Sequence, residues 1–115
     1  MQYVNSYISQ RNNLLSQLVE ALYHQHVYHL FTVRHPKRNY IIKMLNRKNI
    51  GTRIIYPFPI NKMKGYKKFN FNDKELKKTI KYSKEIFSLP LYPELKVSEV
   101  KNICNNLKEI LKKIN

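Results

Sequence analysis

The chain has 115 residues, of which 43% are hydrophobic and 14 are tyrosine or phenylalanine, so we expect one folded domain with a modest core rather than a disordered chain. Its formal net charge of +15 makes nucleic acid or another polyanion a candidate partner. No apolar run approaches the roughly 18 residues of a membrane span, and no secretory signal is visible, so we expect a cytoplasmic protein without a membrane segment.

Residues 3–22 carry apolar side chains at helical spacing with a polar opposite face, which predicts an N-terminal helix within residues 1–25. The β-branched and aromatic run "VYHLFTV", residues 27–33, predicts a strand. A second helix is expected to begin near Pro36 and to stop at "NIG", residues 49–51.

The segment "TRII", residues 52–55, is a candidate short strand that leads into a proline loop. Proline fixes its own φ and pushes the preceding residue toward extended geometry. We therefore expect Tyr56 to Pro59 to form a stiff, extended loop, with the rings of Tyr56 and Phe58 pointing to different sides.

The C-terminal half predicts two more helices. Asn72 and Glu75 resemble a capping box, and helical spacing then continues as far as Phe87. The proline-containing run "SLPLYPEL", residues 88–95, is expected to be extended, and Ser98 is the expected N-cap of the last helix. The apolar stripe of that helix consists of Val100, Ile103, Cys104, Leu107, Ile110, Leu111 and Ile114.

This order of elements predicts an α+β fold in which helices cover one face of a small sheet. We expect a single domain over residues 1–115, because no repeat, low-complexity tract or internal linker interrupts the chain.

The residues themselves do not indicate a self-contained catalytic or metal site. His24, His26 and His29 lie close in sequence, but a strand would place His29 on the opposite face from the other two, and no acidic residue neighbours them. Histidines of a loop and strand are therefore favoured over metal ligands. Cys104, the single cysteine, lies on the apolar face of the last helix and is interpreted as a small buried hydrophobe.

The positive charge admits two interpretations. Lysine outnumbers arginine 17 to 5, and the 13 asparagines and 12 isoleucines are typical of an AT-rich coding sequence. Because the charge also looks spread along the chain, compositional drift is favoured over a selected binding face. The run "NKMKGYKKF", residues 61–69, interleaves lysines with aromatic rings, as single-strand binders do, although a solvated loop would look the same. A small basic nucleic-acid-binding protein remains the alternative hypothesis.

Several segments, taken in order, resemble the C-terminal part of the DegT/DnrJ/EryC1/StrS family of nucleotide-sugar aminotransferases. They are "HVYHLFTV", "KRNYIIKMLNRKNIGTRIIYPFPIN", "GYKKF" and "SKEIFSLPLYPELKVSEVKNICNNL". The matching residues are His29, Leu30 and Phe31 in the strand, Arg38 in the helix, Ile50, Gly51 and Thr52 in the turn, Tyr56, Pro57 and Pro59 in the loop, and Ser88, Leu89, Pro90, Leu91, Tyr92 and Pro93 in the last motif.

The resemblance implies that residues 26–115 form the small domain of a fold-type I aminotransferase dependent on pyridoxal 5'-phosphate. In that family the proline loop approaches a nucleotide-linked keto-sugar substrate, so Tyr56, Pro57, Pro59 and Asn61 are the candidate pocket residues. Two loop histidines of the family are replaced here by Ile55 and Asn61. Both departures affect the polar character of the loop.

The family's cofactor residues belong to a large domain whose motifs this sequence lacks. The resemblance therefore implies that this chain alone neither holds the cofactor nor transaminates, and that it acts with a cofactor-bearing large-domain polypeptide or in a homo-oligomer. A third hypothesis is an inert fold that exposes the apolar surface once covered by a large domain and that self-associates when expressed alone.

Overall fold

A computed structural model describes residues 29–114 of the chain. The predicted helix over residues 3–22 and the first histidines, His24 and His26, lie outside the described residues. Within them the chain forms an α+β fold, as predicted. Its elements are β1 (Phe31–Arg34), α1 (Arg38–Asn46), two 3₁₀ turns (Ile60–Lys62 and Lys64–Phe69), α2 (Lys77–Glu85), β2 (Ile86–Leu89) and α3 (Val97–Ile114).

A two-stranded antiparallel sheet forms the centre of the fold. β1 pairs with β2 so that Phe31 faces Leu89 and Val33 faces Phe87, and all four side chains are buried. On the opposite face of the sheet the hydroxyls of Thr32 and Ser88 lie 3.2 Å apart. Alternation between two faces along β1 therefore follows the period of two that strand geometry imposes.

The predicted strand over residues 52–55 is reduced to a single bridge. The amide of Arg53 donates to the carbonyl of Ser88 at 3.1 Å, and the amide of Ser88 donates back at 2.7 Å. β2 therefore lies between β1 and residue 53. Prolines at positions 57 and 59 remove ladder donors shortly afterwards, which is a physical reason why pairing does not extend further.

Helix α1 ends at Asn46, and its closing turn runs into the stop predicted at residues 49–51, although Asn49 rather than Gly51 makes the turn. Asn49 adopts the left-handed conformation with φ 58°, whereas Gly51 does not have a positive φ. The amide of Ile50 then donates to the carbonyl of Leu45 at 3.0 Å, a bond that satisfies one of the free carbonyls at the helix end. Asparagine is the non-glycine residue that best tolerates this conformation.

Three predicted boundaries were wrong. Phe87 lies in β2 rather than in a helix, because α2 ends at Glu85. Asn72 does not cap α2, which begins at Lys77; its Oδ1 instead accepts from the amide of Lys74 at 3.1 Å in a preceding turn. Ser98 is not the N-cap, since α3 already includes Val97.

Helix α3 packs against α1, and its buried residues share one core cluster with those of the sheet. Its predicted apolar stripe is confirmed, because the six residues from Val100 to Leu111 in that stripe are all buried. Burying a large aliphatic side chain contributes about 1.5–3 kcal/mol relative to leaving it exposed, so this stripe is the largest single source of stability in the helices. At its start the Lys96 amide donates to Glu99 Oε2 at 2.7 Å, which satisfies one of the free donors there.

Candidate functional site

The proline loop holds two rings away from the body of the fold. The side chains of Tyr56 and Phe58 are 62% and 63% exposed, although each is large and aromatic. Pro59 is extended, with φ −70° and ψ 153°, and the first 3₁₀ turn begins directly after it. Because each ring precedes a proline, its backbone is restricted to extended geometry as well. The loop therefore presents its rings without ordering a longer flexible segment.

Asn61 does not project with the rings but is held at the end of the loop by Asp73. Its Nδ2 donates to Asp73 Oδ1 at 3.2 Å, and Lys62 Nζ pairs with the other carboxylate oxygen. The hydrogen bond from Lys62 lowers the pKa of Asp73 below its ordinary value. Asn61 Oδ1 is shielded from solvent and accepts no hydrogen bond from the described residues.

Asp73 is the site residue that sequence analysis missed. It lies 12 positions from Asn61, and nothing in the local pattern joins the two. The sequence offered one indirect signal: with seven acidic and 22 basic residues, each carboxylate is expected to find a cationic partner.

Arg38, which matches the family's early helical arginine, serves the fold rather than the loop. Its Nη1 donates to the carbonyls of Ser83 at 2.8 Å and Ile86 at 3.1 Å. These two carbonyls flank the junction between α2 and β2. The guanidinium therefore fixes the point at which the chain changes from helix to strand.

The "SLPLYP" motif has two parts with different environments. Ser88 and Leu89 are buried in β2, and Leu95 beyond the motif is also in the core, so this segment does close the domain. Pro90, Leu91 and Tyr92 are more exposed and, together with Ser88 and Leu89, line an open cleft of ≈ 590 Å³ that also reaches Thr52. Thr52 Oγ1 is buried there and has no hydrogen-bond partner among the described residues.

This cleft does not fit pyridoxal phosphate as its resident site. The charged side chains that line it are Arg53 and Glu99, and none of the lining residues is a lysine that could bind the cofactor's aldehyde covalently. The cofactor's amine anchor is therefore missing from this cleft.

The other candidate residues, His29 and Cys104, do not form a metal-binding or nucleophilic site with the described residues. His29 is exposed just before β1, and no cluster of metal-ligating side chains occurs over residues 29–114. Cys104 is 3% exposed, as predicted, and burial raises the pKa of its thiol to about 11, which makes it a poor nucleophile at neutral pH. No helix in this part of the chain is both long and apolar enough to cross a membrane.

Among known proteins, this chain is similar to sugar transaminases and to a regulatory protein. Over 88 residues the chain is 34% identical to the dTDP-3-amino-3,4,6-trideoxy-alpha-D-glucose transaminase of Micromonospora megalomicea subsp. nigra, covering 76% of this chain and 24% of that protein. Over 84 residues it is 31% identical to the pleiotropic regulatory protein of Geobacillus stearothermophilus, covering 73% of this chain and 23% of that protein.

Solved structures agree with these relatives. DesV of S. venezuelae, determined in complex with a ketimine intermediate, superposes with a TM-score of 0.67 at 26% identity over 72% of this chain. Spr1654 of Streptococcus pneumoniae, assigned as a sugar aminotransferase and solved in its PMP form, gives 0.64 at 26% identity over 76% of this chain. The match covers 22% and 23% of those two chains, so this chain spans about a quarter of their length.

The family profile leaves little of the chain unmatched. It covers residues 2–108, which includes the sheet, α1, α2, the proline loop and most of α3. The chain therefore belongs to the DegT/DnrJ/EryC1/StrS aminotransferase family, and its fold is that of the family's C-terminal small domain.

Proposed function

We propose that this chain supplies the small domain of an aminotransferase that transfers an amino group to a nucleotide-linked keto-sugar. The observation that carries this proposal is the family match over residues 2–108. The Micromonospora relative, named as a transaminase of a dTDP-linked amino sugar, supports the substrate class. Pyridoxal phosphate would supply the electron sink, held by residues of a cofactor-bearing large domain, because the cleft of this chain offers no amine to anchor it.

In this proposal the proline loop forms one wall of the substrate pocket. Tyr56 and Phe58 are exposed on a backbone that Pro57 and Pro59 restrict, so covering the rings with substrate costs little additional ordering. Asn61, tied to Asp73, fixes the end of the loop. The role of the chain is thus to position substrate and exclude water, without a proton transfer of its own.

A hybrid enzyme tests this proposal. The matching C-terminal quarter of the Micromonospora relative is replaced by this chain, and transamination of its dTDP-linked keto-sugar is compared with that of the truncated relative. We expect activity only in the hybrid, after gel filtration and circular dichroism have shown that it is folded. A folded hybrid no more active than the truncated relative would contradict the proposal, as would turnover by this chain alone.

The loop is tested within the same hybrid. Tyr56→Ala should lower kcat/KM about tenfold, the scale of one lost aromatic contact of about 1.4 kcal/mol. The control is Tyr40→Ala, which removes an exposed tyrosine ring (42%) from α1. Equal effects of the two substitutions would remove the loop from the substrate pocket.

A further inference from the structure

Lysines are concentrated in the segment that contains the second 3₁₀ turn and α2. Residues 62–84 hold nine of the 17 lysines and only two carboxylates, a net charge of +7, so the charge is less evenly spread than we expected from the sequence. Helix α3, with 18 residues, has four lysines and two glutamates. The nine lysines are Lys62, Lys64, Lys67, Lys68, Lys74, Lys77, Lys78, Lys81 and Lys84.

Almost none of this charge is neutralised locally. Over residues 29–114 there are two ion pairs, Lys62 with Asp73 and Arg34 with Glu85. Eight of the nine lysines therefore pair with no carboxylate in the described part of the chain. Three of them, Lys77, Lys81 and Lys84, border one open depression on α2, and the two carboxylates that also border it, Asp73 and Glu85, already pair with Lys62 and Arg34. The unpaired excess of positive charge attracts an anionic partner.

Exposed aromatic rings adjoin the lysines. Tyr66, Phe69 and Phe71 are 46%, 58% and 43% exposed, and neighbouring ring centroids lie 6.1 Å apart. Lys68 Nζ lies 5.2 Å from the centre of the Phe69 ring. Each of these residues thus keeps about half of its surface exposed, and Phe69 does so beside a cation, the combination on which unpaired bases stack.

Asp73 joins the rings' segment to α2. Its carboxylate binds Asn61 and Lys62 at the first 3₁₀ turn, and it also borders the depression formed by the α2 lysines. The two groups of lysines are therefore connected through one short contact rather than held on independent elements.

We propose that residues 62–84 form a surface that binds single-stranded nucleic acid without sequence preference. Lysines contact the phosphates, and Tyr66, Phe69 and Phe71 stack on bases, which only an unpaired strand exposes. The segment contains no arginine, the residue suited to bidentate recognition of a base edge, so no preferred sequence is expected. The surface excludes Tyr56 to Asn61 and does not depend on the proposed aminotransferase function.

Binding of fluorescein-labelled dT20 to the purified chain, followed by anisotropy at several salt concentrations, tests the surface. The variant K67Q/K68Q/K77Q/K81Q removes four charges from it, and the control K101Q/K108Q/K112Q/K113Q removes four exposed charges from α3. We expect the first variant to weaken binding at least tenfold. It should also reduce the slope of log K against log salt by about 3, because each of four lost phosphate contacts accounts for about 0.7. The control variant should bind within about threefold of the unaltered chain. Equal losses in both variants would show a net-charge effect and overturn the proposal.

Stacking is tested by the double variant Y66A/F69A. It should weaken dT20 binding at least fivefold while leaving the binding of poly-glutamate, a polyanion without bases, unchanged. If the double variant binds dT20 as tightly as the unaltered chain, the rings do not stack. If poly-glutamate binds as tightly as dT20, the surface recognises acidic protein instead, and either result overturns the proposal. Circular dichroism of each variant confirms that these exposed substitutions leave the fold intact.

Discussion

The two halves of the buried core are separated by a segment that adds only the partly buried side chain of Ile54 to it. Buried residues occur over 31–50 and again over 83–111, whereas no residue from 51 to 82 is buried. The intervening segment nevertheless carries nine of the twelve exposed large hydrophobic side chains of the described residues. These nine are Ile55, Tyr56, Phe58, Ile60, Met63, Tyr66, Phe69, Phe71 and Tyr82.

This contrast shows what each region requires. The core region buries its apolar side chains within the chain and supplies its own stability. The segment 51–82 has no fully buried side chain and relies on proline restriction, the Arg53–Ser88 bridge, short 3₁₀ turns, the contacts of Asp73 and the first turns of α2. A contiguous exposed apolar patch, such as the neighbouring rings of Tyr66, Phe69 and Phe71, marks a candidate interaction site. We propose that substrate covers the rings of the proline loop and that single-stranded nucleic acid covers the rings that follow.

Truncating one ring in each region should give the largest difference in the free energy of unfolding. Phe87→Ala should lower the free energy of unfolding by about 3–5 kcal/mol, because Phe87 is 1% exposed and its removal leaves a cavity. Phe58→Ala should change it by less than about 0.5 kcal/mol, because that ring is 63% exposed. Urea unfolding followed by circular dichroism measures both, and similar losses would contradict the division into two regions.

Arg38 tests the junction that returns the chain from the exposed segment to the core. Arg38→Met should cost about 1–3 kcal/mol, because two carbonyls at the α2–β2 junction lose their charged donor. Arg47→Met is the control, since the one hydrogen bond of that guanidinium within residues 29–114 is a 3.9 Å approach to Met44 Sδ. The same unfolding measurement applies, and an equal cost for both substitutions would exclude a specific role for Arg38.

Cys104 provides a pH-dependent probe of the core. Its folded-state pKa of about 11 lies above the ordinary thiol value of about 8.5, so the thiol favours the folded state fully at neutral pH. As the pH rises from about 8.5 through 11, the unfolded chain ionises first and this contribution, on the order of 1–3 kcal/mol, is lost. Unfolding measured between pH 8 and 11 should show a steeper decline for the unaltered chain than for Cys104→Ala, and parallel curves would show that the thiol is not buried.

The smallest effect concerns Asp73 in the exposed segment. Its pKa is lowered by Lys62, so its contribution to stability is present above the ordinary pKa and disappears as the pH falls through the lowered value. Lys62→Gln should return the Asp73 pKa toward its ordinary range in an NMR titration of the carboxyl carbon. Lys64→Gln should leave it unchanged, and a shift of equal size in both variants would indicate general charge rather than this ion pair.

The sequence predicted the core better than the exposed segment, for a physical reason. α1 and α3 have apolar stripes with a period that only one secondary structure satisfies, and Phe31 and Val33 alternate as a strand requires. β2 was missed because four residues are too few to distinguish strand from helix end, and Phe87 happens to continue the helical spacing of Ser83.

Local sequence patterns could not predict the hydrogen bonds that join distant parts of the chain. The Asn61–Asp73 hydrogen bond and the ties from Arg38 to the α2–β2 junction are tertiary and have no periodic signal. The proline loop was predicted because proline restricts its backbone locally, whatever the surroundings. The role of Tyr56, Pro57, Pro59 and Asn61 at a substrate remains a prediction.

Amide hydrogen exchange of the isolated chain tests the division into two regions most directly. We expect slow exchange in β1, β2, α1 and α3, where the backbone bonds open only with the core, and fast exchange over residues 55–71, where no buried apolar contact holds the 3₁₀ turns. Protection over 55–71 equal to that of α3 would contradict the account, because it would show that this segment is stabilised by the chain itself and needs no further surface to cover its rings.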